Sequence, residues 1–61
     1  MRVFFAGEAT VTENIEPGKK GRVRFRASYW YAVCEEKITL SAGTLVQVRG
    51  NENITLIVEP I

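Results

Sequence analysis

Residues 21–32 read Gly21-Arg22-Val23-Arg24-Phe25-Arg26-Ala27-Ser28-Tyr29-Trp30-Tyr31-Ala32, and their alternation decides how the rest of the chain is read. Val23 and Phe25 fall on one side of an extended segment. Arg22, Arg24 and Arg26 fall on the other, which is the period-two signature of a strand with one buried and one wet face. If that strand ran on unbroken, Ala27, Tyr29 and Tyr31 would point inward and Trp30 outward. A two-residue turn at Ala27-Ser28 is the preferred reading, because it begins a second arm over residues 29–34 that sends Trp30 and Ala32 to the core. Neither Ala27 nor Ser28 favours the positive φ of a tight hairpin, so a bulge is the fallback.

Outward from this hairpin the same grammar repeats. On the N-terminal side, residues 7–12 place Ala9 and Val11 on one face against Glu8, Thr10 and Thr12. The connection over residues 13–21 holds Pro17-Gly18, suited to a type II turn, and Ile15 is expected to tuck beneath it. On the C-terminal side, Ser41-Ala42-Gly43 closes a loop, and Leu45, Val46, Val48 and Arg49 make a fourth strand. Gly50-Asn51-Glu52-Asn53 is the turn signal before a fifth strand, with Ile54, Leu56 and Val58 alternating against Thr55, Ile57 and Glu59. Pro60 ends that strand, since it cannot donate to a continuing ladder. Residues 32–40 lack both a 3.6-residue spacing and a cap, so no more than one helical turn is allowed there.

Composition bounds what such a chain does. The 61 residues are 46% hydrophobic and 25% charged, as in a folded domain, and the chain is too short to enclose an active site with its supporting layer. It has no His and no Asp; all seven acidic residues are Glu. Imidazole bases, imidazole metal ligands and Asp-led calcium loops are therefore excluded, and no catalytic residue, metal or cofactor is expected. Cys34 is the single cysteine, so no internal disulfide forms and the thiol reads as buried and inert. Glu35 and Glu36 with Glu52 are the residue types of an acid–base pair, but adjacent strand residues face opposite ways, and solvated glutamates are the simpler reading. No apolar run approaches the roughly 20 residues that span a bilayer.

Five short strands need their edges protected, and the simplest solution is an all-β, five-stranded OB-like Greek-key barrel without a prominent helix. The expected division is one domain over residues 1–61, with residues 1–6 as an N-terminal arm carrying Phe4 and Phe5, and residues 7–60 as the barrel. Its core would be Val11, Val23, Phe25, Trp30, Ala32, Val46, Val48, Leu56 and Val58. The net charge is only +1, yet Lys19, Lys20, Arg22, Arg24 and Arg26 put five of the eight cations into eight positions. That strip is the candidate interaction surface. With Tyr29, Trp30 and Tyr31 nearby it has the ingredients of single-stranded nucleic-acid binding, but near-neutral charge disfavours that partner over a protein-facing or solvated strip. Anionic lipid headgroups, or carboxylates of Glu8, Glu13 and Glu16, are the other ways to satisfy it.

The order of landmarks also resembles a family. Gly7-x-Ala9-x-Val11-Thr12, Ile15-x-Pro17, Gly21-x-Val23-x-Phe25, Trp30-x-Ala32, Ala42-Gly43-x-x-Val46-x-Val48 and Leu56-x-Val58-x-Pro60 are similar to the C-terminal soluble domain of NfeD-like proteins over residues 7–60. Where such domains usually carry a glycine before the Trp strand, this chain has Ala27. The resemblance implies an OB-type barrel lacking the helix between strands three and four. It further implies a non-catalytic module of a membrane-anchored parent that works with stomatin- or flotillin-like membrane proteins or in membrane protease regulation. The side of the membrane is not implied.

Overall fold

The computed structural model describes residues 7–61; the expected arm with Phe4 and Phe5 lies outside them. The strands are β1 (Gly7–Glu13), β2 (Gly21–Phe25), β3 (Ser28–Cys34), β4 (Leu45–Glu52) and β5 (Thr55–Pro60), and the described residues contain no helix. They close in the order β1-β2-β3-β5-β4 and back to β1, the five-stranded OB-type barrel. Every pairing is antiparallel except β3 with β5. Closure needs a strand that bends. β1 pairs with β4 through Gly7–Thr10 and with β2 through its C-terminal half, where Thr12 is an extra residue between the Val11 and Glu13 pairs. A second bulge at Arg49 bends β4, and such one-residue insertions add the local twist that lets a short sheet curl shut.

The interior is filled by alternate residues of all five strands: Ala9, Val11, Val23, Phe25, Ala32, Cys34, Val46, Val48, Leu56 and Val58 are buried. Ile15 and Leu40, both buried, plug one end, where their backbones exchange two hydrogen bonds of 2.8 Å. Around this plug Gly43 N–H donates to the Val11 carbonyl at 2.7 Å, and Ala42 N–H donates to Asn14 Oδ1 at 2.9 Å. The long β3–β4 connection is thus sewn across the barrel mouth without a helix. Pro17-Gly18 forms the anticipated turn: Gly18 has φ 75° and Lys19 N–H donates to the Glu16 carbonyl at 3.0 Å.

Three details correct the expectations. The hairpin turn is Arg26-Ala27, one residue earlier than Ala27-Ser28, with φ of 53° and 65° as a type I′ turn demands. Phe25 is then opposite Ser28 and Val23 opposite Trp30. Moving a two-residue turn by one position shifts the register by two, so no side chain changes face, and Trp30 and Ala32 still point toward the core. Trp30, however, is half-buried, packed against the core cluster at its margin rather than enclosed in it. Finally, β4 continues through Gly50-Asn51-Glu52 because the Arg49 bulge restores pairing with β5, and the turn falls at Asn53-Ile54. Ile54 therefore leaves the interior set and is 70% exposed.

Two L-residues with positive φ at the hairpin carry strain that Asn-Gly would relieve. The double substitution Arg26→Asn, Ala27→Gly is expected to raise unfolding stability by about 1 kcal/mol. Urea unfolding checks it, and an unchanged or lower midpoint would show that the Arg26 guanidinium, 4.9 Å above the Phe25 ring, contributes at least as much as the strain costs.

Candidate interaction face on the β2–β3 hairpin

Hairpin register decides what the basic strip becomes. Arg22 lies opposite Tyr31 and Arg24 opposite Tyr29, and all four side chains occupy the outward positions of their strands. The Arg22 guanidinium stands 5.1 Å above the Tyr31 ring and the Lys20 ammonium 5.8 Å from it, a cation–π arrangement worth about 0.5–1 kcal/mol at exposed sites. Tyr29 is 63% and Tyr31 47% exposed. No carboxylate of the described residues forms an ion pair with Lys20, Arg22 or Arg24. The face is therefore cationic and aromatic.

The five cations of the strip expected from the sequence do not lie in one continuous row. Arg26 sits in the turn against Phe25, not in a row with Arg22 and Arg24. Lys19 lies in the β1–β2 loop, where its ammonium is 3.9 Å from Glu16, an exposed pair of small energetic weight. Lys20, Arg22 and Arg24 remain together. The glutamates follow a different logic: Glu35 and Glu59 flank Arg49 at 3.8 and 3.4 Å, so Glu35 takes part in a surface ion network away from Glu52. Cys34 is buried opposite Val58. Among the described residues no group of three metal-ligating side chains converges.

Beside the cationic face lies a shallow depression of about 300 Å³, lined by Ser28, Tyr29, Trp30, Tyr31 and Ile54. The alternation of the fifth strand puts Ile54 on the face of Leu56 and Val58, so the sequence does not mark it as a surface residue. The signal that would have found it is the second Asn of Gly50-Asn51-Glu52-Asn53, because Asn tolerates the positive φ, here 56° at Asn53, that opens a two-residue hairpin. The exposed tyrosines were legible as neighbours of the arginines. Their pairing with Arg22 and Arg24 became visible only with the turn placed.

A bent barrel closed by two bulges, plugged by a loop instead of a helix and carrying such a face invites comparison with known proteins. The family model for the NfeD-like C-terminal, partner-binding domain matches residues 6–60. This chain belongs to that family. Two solved NfeD-type relatives share the barrel. The soluble domain of a membrane protein implicated in regulation of membrane protease activity from Corynebacterium glutamicum is 28% identical, with a TM-score of 0.83 over 90% of this chain and 87% of that one. The C-terminal domain of stomatin operon partner protein 1510-C from Pyrococcus horikoshii is 28% identical, with a TM-score of 0.79 over 88% and 81%. No curated protein matches the chain. An NfeD-like domain is by family a partner-binding module, and among the described residues no helix is long and apolar enough to cross a membrane.

Proposed function

We propose that this domain is the non-catalytic docking barrel of a membrane-anchored NfeD-like protein and that it binds a stomatin- or flotillin-like membrane protein through the outer face of the β2–β3 hairpin. The observation that carries the reading is the cluster of Lys20, Arg22 and Arg24 with exposed Tyr29 and Tyr31, a set of cations that no carboxylate of the described residues neutralises. Tyr and Arg are the residue types that dominate protein interfaces. The relatives support the setting: one is the soluble domain of a membrane protein, the other a stomatin operon partner. In a pull-down with a stomatin-like protein, the Arg22→Glu, Arg24→Glu double variant is expected to retain about tenfold less than the wild type, since two reversed charges at an interface cost a few kcal/mol at most. Equal retention would remove this face from the binding surface.

The exposed tyrosines beside the arginines favour a second reading, single-stranded nucleic acid stacked along the hairpin. Titrating an oligonucleotide at low salt, where phosphate contacts are strongest, is expected to leave tyrosine and Trp30 fluorescence unchanged; quenching that salt reverses would favour nucleic acid.

A further inference from the structure

The sheet is closed, yet β3 is paired along only part of its length on its β5 side. β3 pairs with β2 along Ser28–Ala32, but with β5 only from Tyr31 to Cys34. Among the described residues no strand lies against the β5-facing edge at Tyr29, because the chain turns away at Asn53-Ile54. In a hairpin with a two-residue loop the flanking residues, here Phe25 and Ser28, form a hydrogen-bonded pair, and such pairs alternate along the ladder. Ser28 and Trp30 therefore direct their backbone groups at β2. Tyr29 directs its N–H and C=O toward the open edge. The depression lies along the same edge, with Trp30 and Ile54 as its apolar walls.

We infer that this edge takes an extended, acidic segment of the protein partner, added as a short strand at Tyr29, with one aliphatic side chain in the depression and its carboxylates toward Lys20, Arg22 and Arg24. The inference rests on the partner-binding reading above and names the chemistry of what is bound. Alternation carries it: an added strand sends every second side chain to one face. One set enters the Trp30–Ile54 depression; the other lies on the side of Tyr29 and Tyr31. The arginines of β2 are two strand spacings away, about 10 Å, which an extended arginine and a glutamate span together. Charge complementarity selects the acidic segment, since these three cations have no carboxylate partner among the described residues. The edge admits only a short strand, because a single residue offers both of its backbone groups.

The probe is a fluorescein-labelled nonapeptide of alternating Glu and Ile, compared with versions carrying Lys for Glu or Ser for Ile, and with an oligothymidylate. Binding is followed by anisotropy, and by amide spectra and amide exchange of the domain. The expected result is shifts centred on residues 28–31 and Ile54 with smaller ones at Lys20, Arg22 and Arg24, slowed exchange at the Tyr29 amide, and affinity lower by about tenfold for each altered peptide. Ile54→Glu, an exposed turn position whose amide spectrum reports intact folding, is expected to weaken the peptide by a similar factor. No shift even at about 1 mM peptide, unchanged Tyr29 exchange, equal binding of the Lys peptide, or tighter binding of the oligothymidylate at this edge would each overturn the inference. If the stomatin-like protein is still captured when the peptide fails, the inference falls and the partner-binding reading stands; loss of that capture removes both.

Discussion

Gly21→Ala is expected to destabilise the domain by about 3 kcal/mol, at the upper end for overpacking a tight site. A Cβ at Gly21 would stand 2.5 Å from the Asn14 carbonyl oxygen, 2.5 Å from Ile15 Cγ1 and 2.7 Å from the Glu13 carbonyl oxygen. Two of these are backbone atoms, and neither can retreat cheaply. Asn14 is tied to Ala42, and Ile15 is tied by two backbone hydrogen bonds to Leu40, so moving them opens the plug that closes the barrel end. A chain of this length has a total stability of about 3–9 kcal/mol, and the methyl group would remove much of it. Urea unfolding followed by Trp30 fluorescence reads the effect. Gly50→Ala is the control, because a Cβ there meets nothing within 4 Å and its φ is not positive; it is expected to stay within about 0.5 kcal/mol. A Gly21→Ala loss no larger than that control would show that the β1–β2 loop yields freely, contrary to the sewn mouth described above.

Leu56→Ala is expected to cost about 3–4 kcal/mol, within the range for truncating a fully buried leucine. Leu56 is 0% exposed, paired with Ala32 of β3 on one side and Asn51 of β4 on the other. The core cluster it belongs to includes Val11, Val23, Val46, Val48 and Val58, all at 1% exposure or less. β-branched side chains are confined at χ1, so they cannot swing into the space left behind, and most of the cavity persists. Ile54→Ala, two residues earlier and 70% exposed, is expected to change stability by no more than about 0.5 kcal/mol. The pair thus separates burial from hydrophobicity. Equal losses at Leu56 and Ile54 in the same unfolding measurement would contradict the placement of the β4–β5 turn at Asn53-Ile54.

That turn shows where reading by pattern reached its end. Residues 54–58 alternate as well with Ile54 inward as without it, and Gly50-Asn51-Glu52-Asn53 is as good a turn signal as the chain contains. What the pattern omits is the bulge at Arg49, which costs one residue of β4 and lets Gly50-Asn51-Glu52 stay in the ladder. A bulge has no strong local signature. Its benefit is the added bend, felt only when the sheet closes on itself. The row of arginines is shorter than the alternation suggests for a related reason: Arg22 and Arg24 share a face, but Arg26 sits where the chain reverses, and a turn residue belongs to neither face.

Trp30 is the intermediate case. Its inward direction was readable, because any two-residue turn near Ala27 gives the same parity, whereas its half-exposed position depends on where β5 begins to pair with β3.

Side-chain alternation and turn-forming residues, being local preferences, were enough to specify the five strands, the valine-rich interior, the Ile15 tuck and, with the order of landmarks, the NfeD-like barrel. The parallel β3–β5 pairing, the two bulges and the open edge at Tyr29 belong to the folded molecule, because each follows from strands distant in the chain having to meet around one small core.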